Sequence, residues 1–341
     1  MLAKLRQVVK REAAEPGPPG AGRSYVARTS DGWELPLSRP YPPAGPSRPV
    51  LLLSGYGTSS ESWCPRDPNG LPAHLATAGF DPWLLDFRGS GASRHTHAVR
   101  PVVCIDRKVQ LDLPAAVAVI QQETGAATLD LVGHSMGGVI IYVYLTVYGD
   151  APVRRVVTLS SPGWFRRTRG SGAPAFRTRA RVLRHSLRLV ERVPTRSLMQ
   201  WVTRIPLPGA YGAHFTPENV DDATARTWLR ASSTDIYRAE LQQIMRWFET
   251  GEITNRTGDF SYSAHFGRIT RPILFLAAQA DRVVDRQAVR WVHDQVSSAR
   301  KEYREVGLAT GATVDFGHTD LVAGRHAPKD VYPHVLGWLK G

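Results

Sequence analysis

Ser135 stands in Gly133-His134-Ser135-Met136-Gly137, directly after the apolar run Leu129-Asp130-Leu131-Val132 and directly before Gly138-Val139-Ile140-Ile141-Tyr142-Val143-Tyr144-Leu145. A strand, a sharp turn and a helix with serine at the turn hold a hydroxyl out at the carboxyl edge of a sheet. The glycines two positions either side leave room for a strained backbone. A serine hydroxyl is a poor nucleophile at neutral pH. It needs a base to take its proton, an acid to orient that base, and donors for the oxyanion that forms. The base is expected at His318, in Asp315-Phe316-Gly317-His318-Thr319-Asp320, between the last strand pattern and the last helix pattern. His134 sits inside the turn and is too constrained to reach its neighbour's hydroxyl. The other nine histidines read as structural. The pair His95 and His97 has no companion carboxylate motif, so neither a metal nor any other cofactor is expected.

Asp281 follows Ala277-Ala278-Gln279-Ala280 at a strand end and gives the chain order Ser, Asp, His. Asp285 is its rival, but it precedes Arg286-Gln287-Ala288-Val289 and reads better as the N-cap of a helix. The oxyanion donors are expected to be the backbone N–H of Met136 and that of Tyr56, in the loop Ser54-Gly55-Tyr56-Gly57. Asp86-Phe87-Arg88-Gly89-Ser90-Gly91 lacks the spacing of a dinucleotide or phosphate loop and reads as a structural turn.

The elements that must position these groups follow from periodicity. Tyr25 to Leu37, with Asp31-Gly32 as its turn, reads as a hairpin. Val50-Leu51-Leu52-Leu53 is a continuous apolar run, the signature of a strand buried on both faces of a parallel sheet. Further strands are expected over 81–87, 129–132, 153–159, 272–277 and 302–306. They alternate with helices over 71–78, 112–123, 138–145, 286–296 and 328–339, with Asp112 as the N-cap of the second. Strands alternating with helices imply a doubly wound, mostly parallel sheet that binds ligands beyond its carboxyl edge. Residues 162–269 break this alternation and read as helices without strands, an inserted helical cap. Within it, residues 177–192 set Val182, Leu183, Leu187 and Val190 against arginines. The expected organisation is a basic tail over 1–23, a core over 24–161, the cap over 162–269 and the rest of the core over 270–341.

Over residues 24–341 the chain resembles the α/β-hydrolase superfamily. Several stretches are similar to its acid-lipase branch, the gastric and lysosomal type. They are Leu53-Ser54-Gly55-Tyr56-Gly57 with Trp63-Cys64, Gly79-Phe80-Asp81-Pro82-Trp83-Leu84 running into Arg88-Gly89, and Asp112-Leu113-Pro114-Ala115 ahead of Leu131-Val132-Gly133-His134-Ser135. The resemblance implies the α/β-hydrolase fold, a mostly parallel doubly wound sheet flanked by helices with an inserted helical cap. It sets Ser135, Asp281 and His318 on the family's triad positions, and it implies hydrolysis of a lipophilic ester through an acyl-enzyme. An acyltransferase shares the first half of that reaction, and a non-catalytic binding protein shares the scaffold. Met136-Gly137-Gly138 follows the serine where the lipases usually carry Gln-Gly, a departure that bears on triacylglycerol as substrate. A serine at 135 argues against haloalkane and epoxide hydrolysis, which need a carboxylate there.

Composition narrows the partners. Apolar content of 42% and charged content of 21% are globular values. The net charge of +13 comes mainly from arginine, and eleven arginines but one acid, Glu191, lie between Trp164 and Arg204. Such a field attracts anionic surfaces. No zinc-finger, helix-turn-helix or RNA-binding aromatic pattern accompanies it, so the expected partners are a lipid or small-molecule ester and an anionic membrane touched peripherally, not nucleic acid. The cap aromatics Trp164, Phe165, Phe176, Trp201, Tyr211, Phe215, Trp228, Tyr237, Trp247 and Phe248 are candidates for an acyl pocket or for plain core. Charges interrupt the apolar residues of the first eleven positions, unlike a signal peptide, and Cys64 and Cys104 are too few for a disulfide framework. A cytoplasmic location is the expectation.

Overall fold

A computed structural model describes residues 22–96, 102–149, 151–165, 190–205 and 212–341. The basic N-terminal stretch, the arginines from Arg166 to Arg188, most of the helix expected over 177–192, and the aromatics Phe176 and Tyr211 lie outside the described residues.

The strands are β1 (Arg23–Arg28), β2 (Trp33–Arg39), β3 (Arg48–Leu53), β4 (Phe80–Leu85), β5 (Arg94–His95), β6 (Leu129–His134), β7 (Val153–Leu159), β8 (Arg192–Val193), β9 (Ile236–Tyr237), β10 (Ile273–Ala278) and β11 (Lys301–Val306). The main sheet runs β1-β2-β4-β3-β6-β7-β10-β11, with β5 paired to β2. Pairing is antiparallel from β1 to β4 and parallel from β4 to β11. Side chains alternate faces along a strand, so the apolar run of β3 serves two cores at once. Leu51 and Leu53 join the helices Leu113–Thr124, Met136–Val147 and Arg286–Gln295 on one face. Val50 and Leu52 join the helices Leu71–Thr77 and Tyr332–Lys340 on the other. Each fully buried leucine stabilises the fold by roughly 1.5–3 kcal/mol.

Two of the expected helices need correction. Asp112 does not cap a helix: its backbone is already helical and its side chain makes no capping bond. Helix begins at Ile105 and runs through a wide turn over Lys108–Asp112 into Leu113–Thr124. The Asp112 carboxylate instead accepts Arg88 Nε at 2.8 Å and Arg88 N at 3.0 Å, while Arg88 also donates from Nη1 to Asp31 at 2.8 Å. Arg88 and Asp112 are both fully buried. Burial pushes the Asp112 carboxyl above its ordinary value despite the guanidinium beside it. A long-range ion pair thus claims a residue that local propensity assigns to a cap. The last helix is also split, into Ala327–Asp330 and Tyr332–Lys340, each with a proline in its first turn.

Between β7 and β10 the described helices are Thr195–Val202, Asp222–Ser232 and Arg238–Thr250. Contrary to a strand-free reading, β8 and β9 form a two-residue antiparallel ladder there, too short to leave a period-two signal. The helix Arg238–Thr250 docks on the core through a buried Lys108–Glu240 ion pair and through Gln243, which accepts Ile105 N–H at 3.1 Å and donates to Asp106 at 2.8 Å.

Removing one partner of a buried pair leaves the other charge uncompensated. Asp112→Ala is therefore expected to cost about 3–5 kcal/mol, read as a lower urea midpoint at unchanged slope. Arg66→Ala, which breaks an exposed pair with Glu61, is expected to leave the midpoint in place. Equal shifts in the two variants would contradict this account.

Candidate active site

Ser135 follows β6 and precedes the helix Met136–Val147, with φ 53° and ψ −118°. A non-glycine residue there costs about 1–3 kcal/mol and persists only where its surroundings over-determine it. Here they do. Ser135 N–H donates to Leu159 O on β7 at 2.8 Å. A methyl group on Gly137 would come within 2.1 Å of Leu53 O, and one on Gly133 within 2.5 Å of Gly138 N, so both glycines are required by close backbone approach.

His318 reaches this hydroxyl from the loop after β11. Its Nε2 lies 2.9 Å from Ser135 Oγ and its Nδ1 lies 2.8 Å from Asp281 Oδ2. The His318 and Asp281 side chains are only 5% and 2% exposed. Asp281 Oδ1 accepts the N–H groups of Val283 and Val284, each at 2.8 Å. Burial opposes the Asp281 charge, but His318 and these two amides outweigh it and hold the carboxyl below its ordinary value. With a proton on Nδ1, the imidazole can accept the serine proton at Nε2 while the carboxylate stabilises the imidazolium. Asp285 points elsewhere and accepts Gln287 N–H at 2.8 Å as the N-cap of Arg286–Gln295. Of the two aspartates read from the sequence, Asp281 is the one brought to His318.

The loop after β3 passes over the serine: a methyl on Gly55 would sit 3.3 Å from Ser135 Cβ. Tyr56 is next in that loop. Met136 is the first residue of its helix, so its N–H has no carbonyl within the helix to bond. Asp86 shapes the neighbouring turn by accepting Ser60 N–H at 2.8 Å and Ala92 N–H at 3.3 Å, and it fills the space where a side chain at Gly91 would stand.

Three polar groups at the site left no sequence signal. His134 donates from Nε2 to His318 O at 3.0 Å, and the two rings lie 4.8 Å apart. Burial, reinforced by the charge of His318, drives His134 down to about 3. It therefore stays a neutral donor that ties the His318 backbone to the turn. Asp320 is fully buried beneath the His318 loop. The Tyr56 hydroxyl is buried without a hydrogen-bond partner among the described residues, and burial together with Glu240 raises it well above the ordinary tyrosine value. Several of the described aromatics between β7 and β10 belong to the core: Phe165 packs on Trp247 and Phe248, and Phe215 on Trp228. His95 Nε2 lies 2.8 Å from Asp31 O, and His97 is outside the described residues.

The fold and this site define a serine-bearing α/β protein with its polar machinery at the carboxyl edge of a parallel sheet. The chain belongs to the alpha/beta hydrolase fold family, whose model matches residues 48–307. It is similar to lipase lipl-1 of Caenorhabditis elegans, 24% identical over 377 aligned positions that cover 92% of this chain and 86% of the relative. It is also similar to a tear acid lipase-like protein of Mesocricetus auratus, 33% identical over 129 residues, or 34% of this chain and 32% of the relative. The chain thus spans about a third of the length of that relative. These likenesses agree with the acid-lipase resemblance read from the sequence. A solved hydrolase from Pseudomonas aeruginosa shares the fold with a TM-score of 0.58 at 18% identity, covering 93% of this chain and 98% of that one.

His134 makes folding pH-dependent. Its folded value lies below the unfolded one, so between about pH 6.5 and 3 the unfolded chain takes up a proton that the folded chain refuses. Stability should fall with acid across that window by up to about 1.4 kcal/mol per pH unit. His134→Gln should flatten the slope in urea titrations between pH 7 and 4. Parallel slopes in variant and wild type would remove this assignment.

Proposed function

We propose that the protein is a serine ester hydrolase acting on a lipophilic ester. The observation that carries the reading is His318 within hydrogen-bond distance of Ser135 Oγ on one side and of Asp281 on the other. Ser135 Oγ attacks the ester carbonyl carbon while its proton passes to His318 Nε2. The oxyanion takes hydrogen bonds from the N–H groups of Tyr56 and Met136. Collapse of the tetrahedral intermediate breaks the carbon–oxygen bond to the alcohol, which leaves with the proton from Nε2. Water then loses a proton to Nε2 as it attacks the acyl-enzyme, and the acid departs as Ser135 regains its hydrogen. Asp281 holds the imidazole in the required tautomer throughout.

Residues 162–269 act in this reading as the cap that selects the acyl group. The acid-lipase names of the relatives support a lipid ester as substrate. Among the described residues, Leu198, Trp201 and Ile205 are 49%, 62% and 43% exposed beside exposed Arg196 and Arg204. Apolar side chains flanked by arginine suit peripheral contact with an anionic membrane. No helix among the described residues is long and apolar enough to cross a membrane.

A chain-length series of p-nitrophenyl esters tests the chemistry. Wild type should hydrolyse them, and Ser135→Ala should lose activity to background. Asp281→Asn should lose about 10⁴-fold in kcat, with Asp285→Asn close to wild type. An inactive wild type, or an active Ser135→Ala, would refute the reading. For the membrane contact, Leu198→Ser with Trp201→Ser should reduce flotation with phosphatidylglycerol vesicles while hydrolysis of a soluble ester stays unchanged. Unchanged flotation would discard that face.

A further inference from the structure

One segment between β7 and β10 is tied to both loops that flank Ser135. On the side of the Tyr56 loop, Ser59 N–H donates to Ser232 O at 2.8 Å and Thr234 N–H donates to Gly57 O at 2.9 Å. Trp228 Nε1 donates to Ser62 O at 3.0 Å. On the side of the His318 loop, Thr319 N–H donates to His214 O at 2.9 Å and Arg325 N–H to Asn219 O at 3.1 Å. Between the two, Phe215, Val220, Ala225 and Trp228 form an apolar cluster of their own, closed by Cys64 from the first loop and Ala323 from the second.

Asp320 is the joint on the His318 side. One of its oxygens, Oδ2, accepts Gly317 N–H at 2.7 Å, Thr216 N–H at 3.0 Å, Thr216 Oγ1 at 2.6 Å and Asn219 Nδ2 at 3.4 Å. Gly317 directly precedes His318 and Asp320 follows it by two, so the carboxylate closes the loop around the base and binds that loop to Thr216. Among the described residues no cation is bonded to Asp320, and burial raises its carboxyl above the ordinary value. Burying a carboxylate on neutral donors alone is costly, and it gives in return a fixed geometry that a looser loop would lack.

We propose that residues 214–234 are a fixed brace and not a lid, and that Asp320 and Thr216 are positioning residues that hold His318 at hydrogen-bond distance from Ser135. The same segment holds the Tyr56 loop on the opposite side, so the inserted region completes the frame on which the base and the oxyanion donors are set. Small displacements of a base from its nucleophile are costly in rate, which is the leverage such a brace has.

The proposal rests on the serine-hydrolase reading, and the experiment separates the two. Active sites of wild type, Thr216→Val and Thr216→Ser are titrated with a fluorophosphonate, and kcat and KM for p-nitrophenyl butyrate are expressed per titrated site. Thr216→Val removes the hydroxyl donor to Asp320 while keeping side-chain size. It should lose about tenfold or more in kcat per site, with KM within about twofold of wild type. Thr216→Ser should restore kcat. Asp320→Asn, which leaves the loop's hydrogen-bonding oxygen without its charge, should behave as Thr216→Val does and serves if that variant fails to fold. Fewer titratable sites with unchanged kcat per site would make the contact merely structural and overturn the proposal, as would no change in either quantity. A wild type that is neither labelled nor active refutes the hydrolase reading and the brace with it, whereas an active wild type beside an unaffected Thr216→Val refutes the brace alone.

Discussion

A serine backbone held at φ 53° constrains everything around it. The conformation is uphill by itself, so neighbours must pay for it: β7 supplies a carbonyl to Ser135 N–H, β3 presses its backbone onto Gly137, and Gly133 and Gly138 meet without side chains between them. Those contacts exist only if β3, β6 and β7 lie side by side and parallel, with the helix Met136–Val147 packed on them. The central sheet is therefore the support that makes one unfavourable torsion permanent, and a serine hydroxyl presented to His318 is what that support delivers.

Around this rigid turn the remaining groups arrive on loops, and each loop is fixed by buried polar contacts. The Asp281 loop is pinned by two backbone amides and by His318. The His318 loop is pinned by His134 from the turn and by Asp320 from within. The turn after β4 is organised by Asp86, and the segment beside it by Arg88 between Asp31 and Asp112. Loops carry few apolar contacts of their own, so satisfied buried polar groups do for them what the leucines and valines do for the strands.

The region between β7 and β10 joins this scheme and does not merely cover it. Its helix Arg238–Thr250 meets the core through an ion pair and an amide network, and its 214–234 segment touches the loops on both sides of the serine. Among its described residues, exposed apolar side chains lie on the helix Thr195–Val202 and flank it at Val190 and Ile205. Anchoring to the core and exposed apolar surface thus fall on different elements.

The sequence by itself determined the sheet, because apolar runs such as Val50–Leu53 and Leu129–Val132 can be satisfied only by burial on both faces. It also marked the turn at Ser135, since serine between spaced glycines at a strand end is a local pattern, and it favoured Asp281 over Asp285 because a helix start follows the latter. Only the tertiary structure decided that Asp112 serves Arg88 and not a helix end, that His134 holds the His318 carbonyl, and that Asp320 binds Thr216. Each of these is a contact between residues 24 to 184 positions apart. Periodicity and capping report what a residue does for its own turn of chain, whereas the partner of a buried polar group is set by which loops the closed sheet brings together.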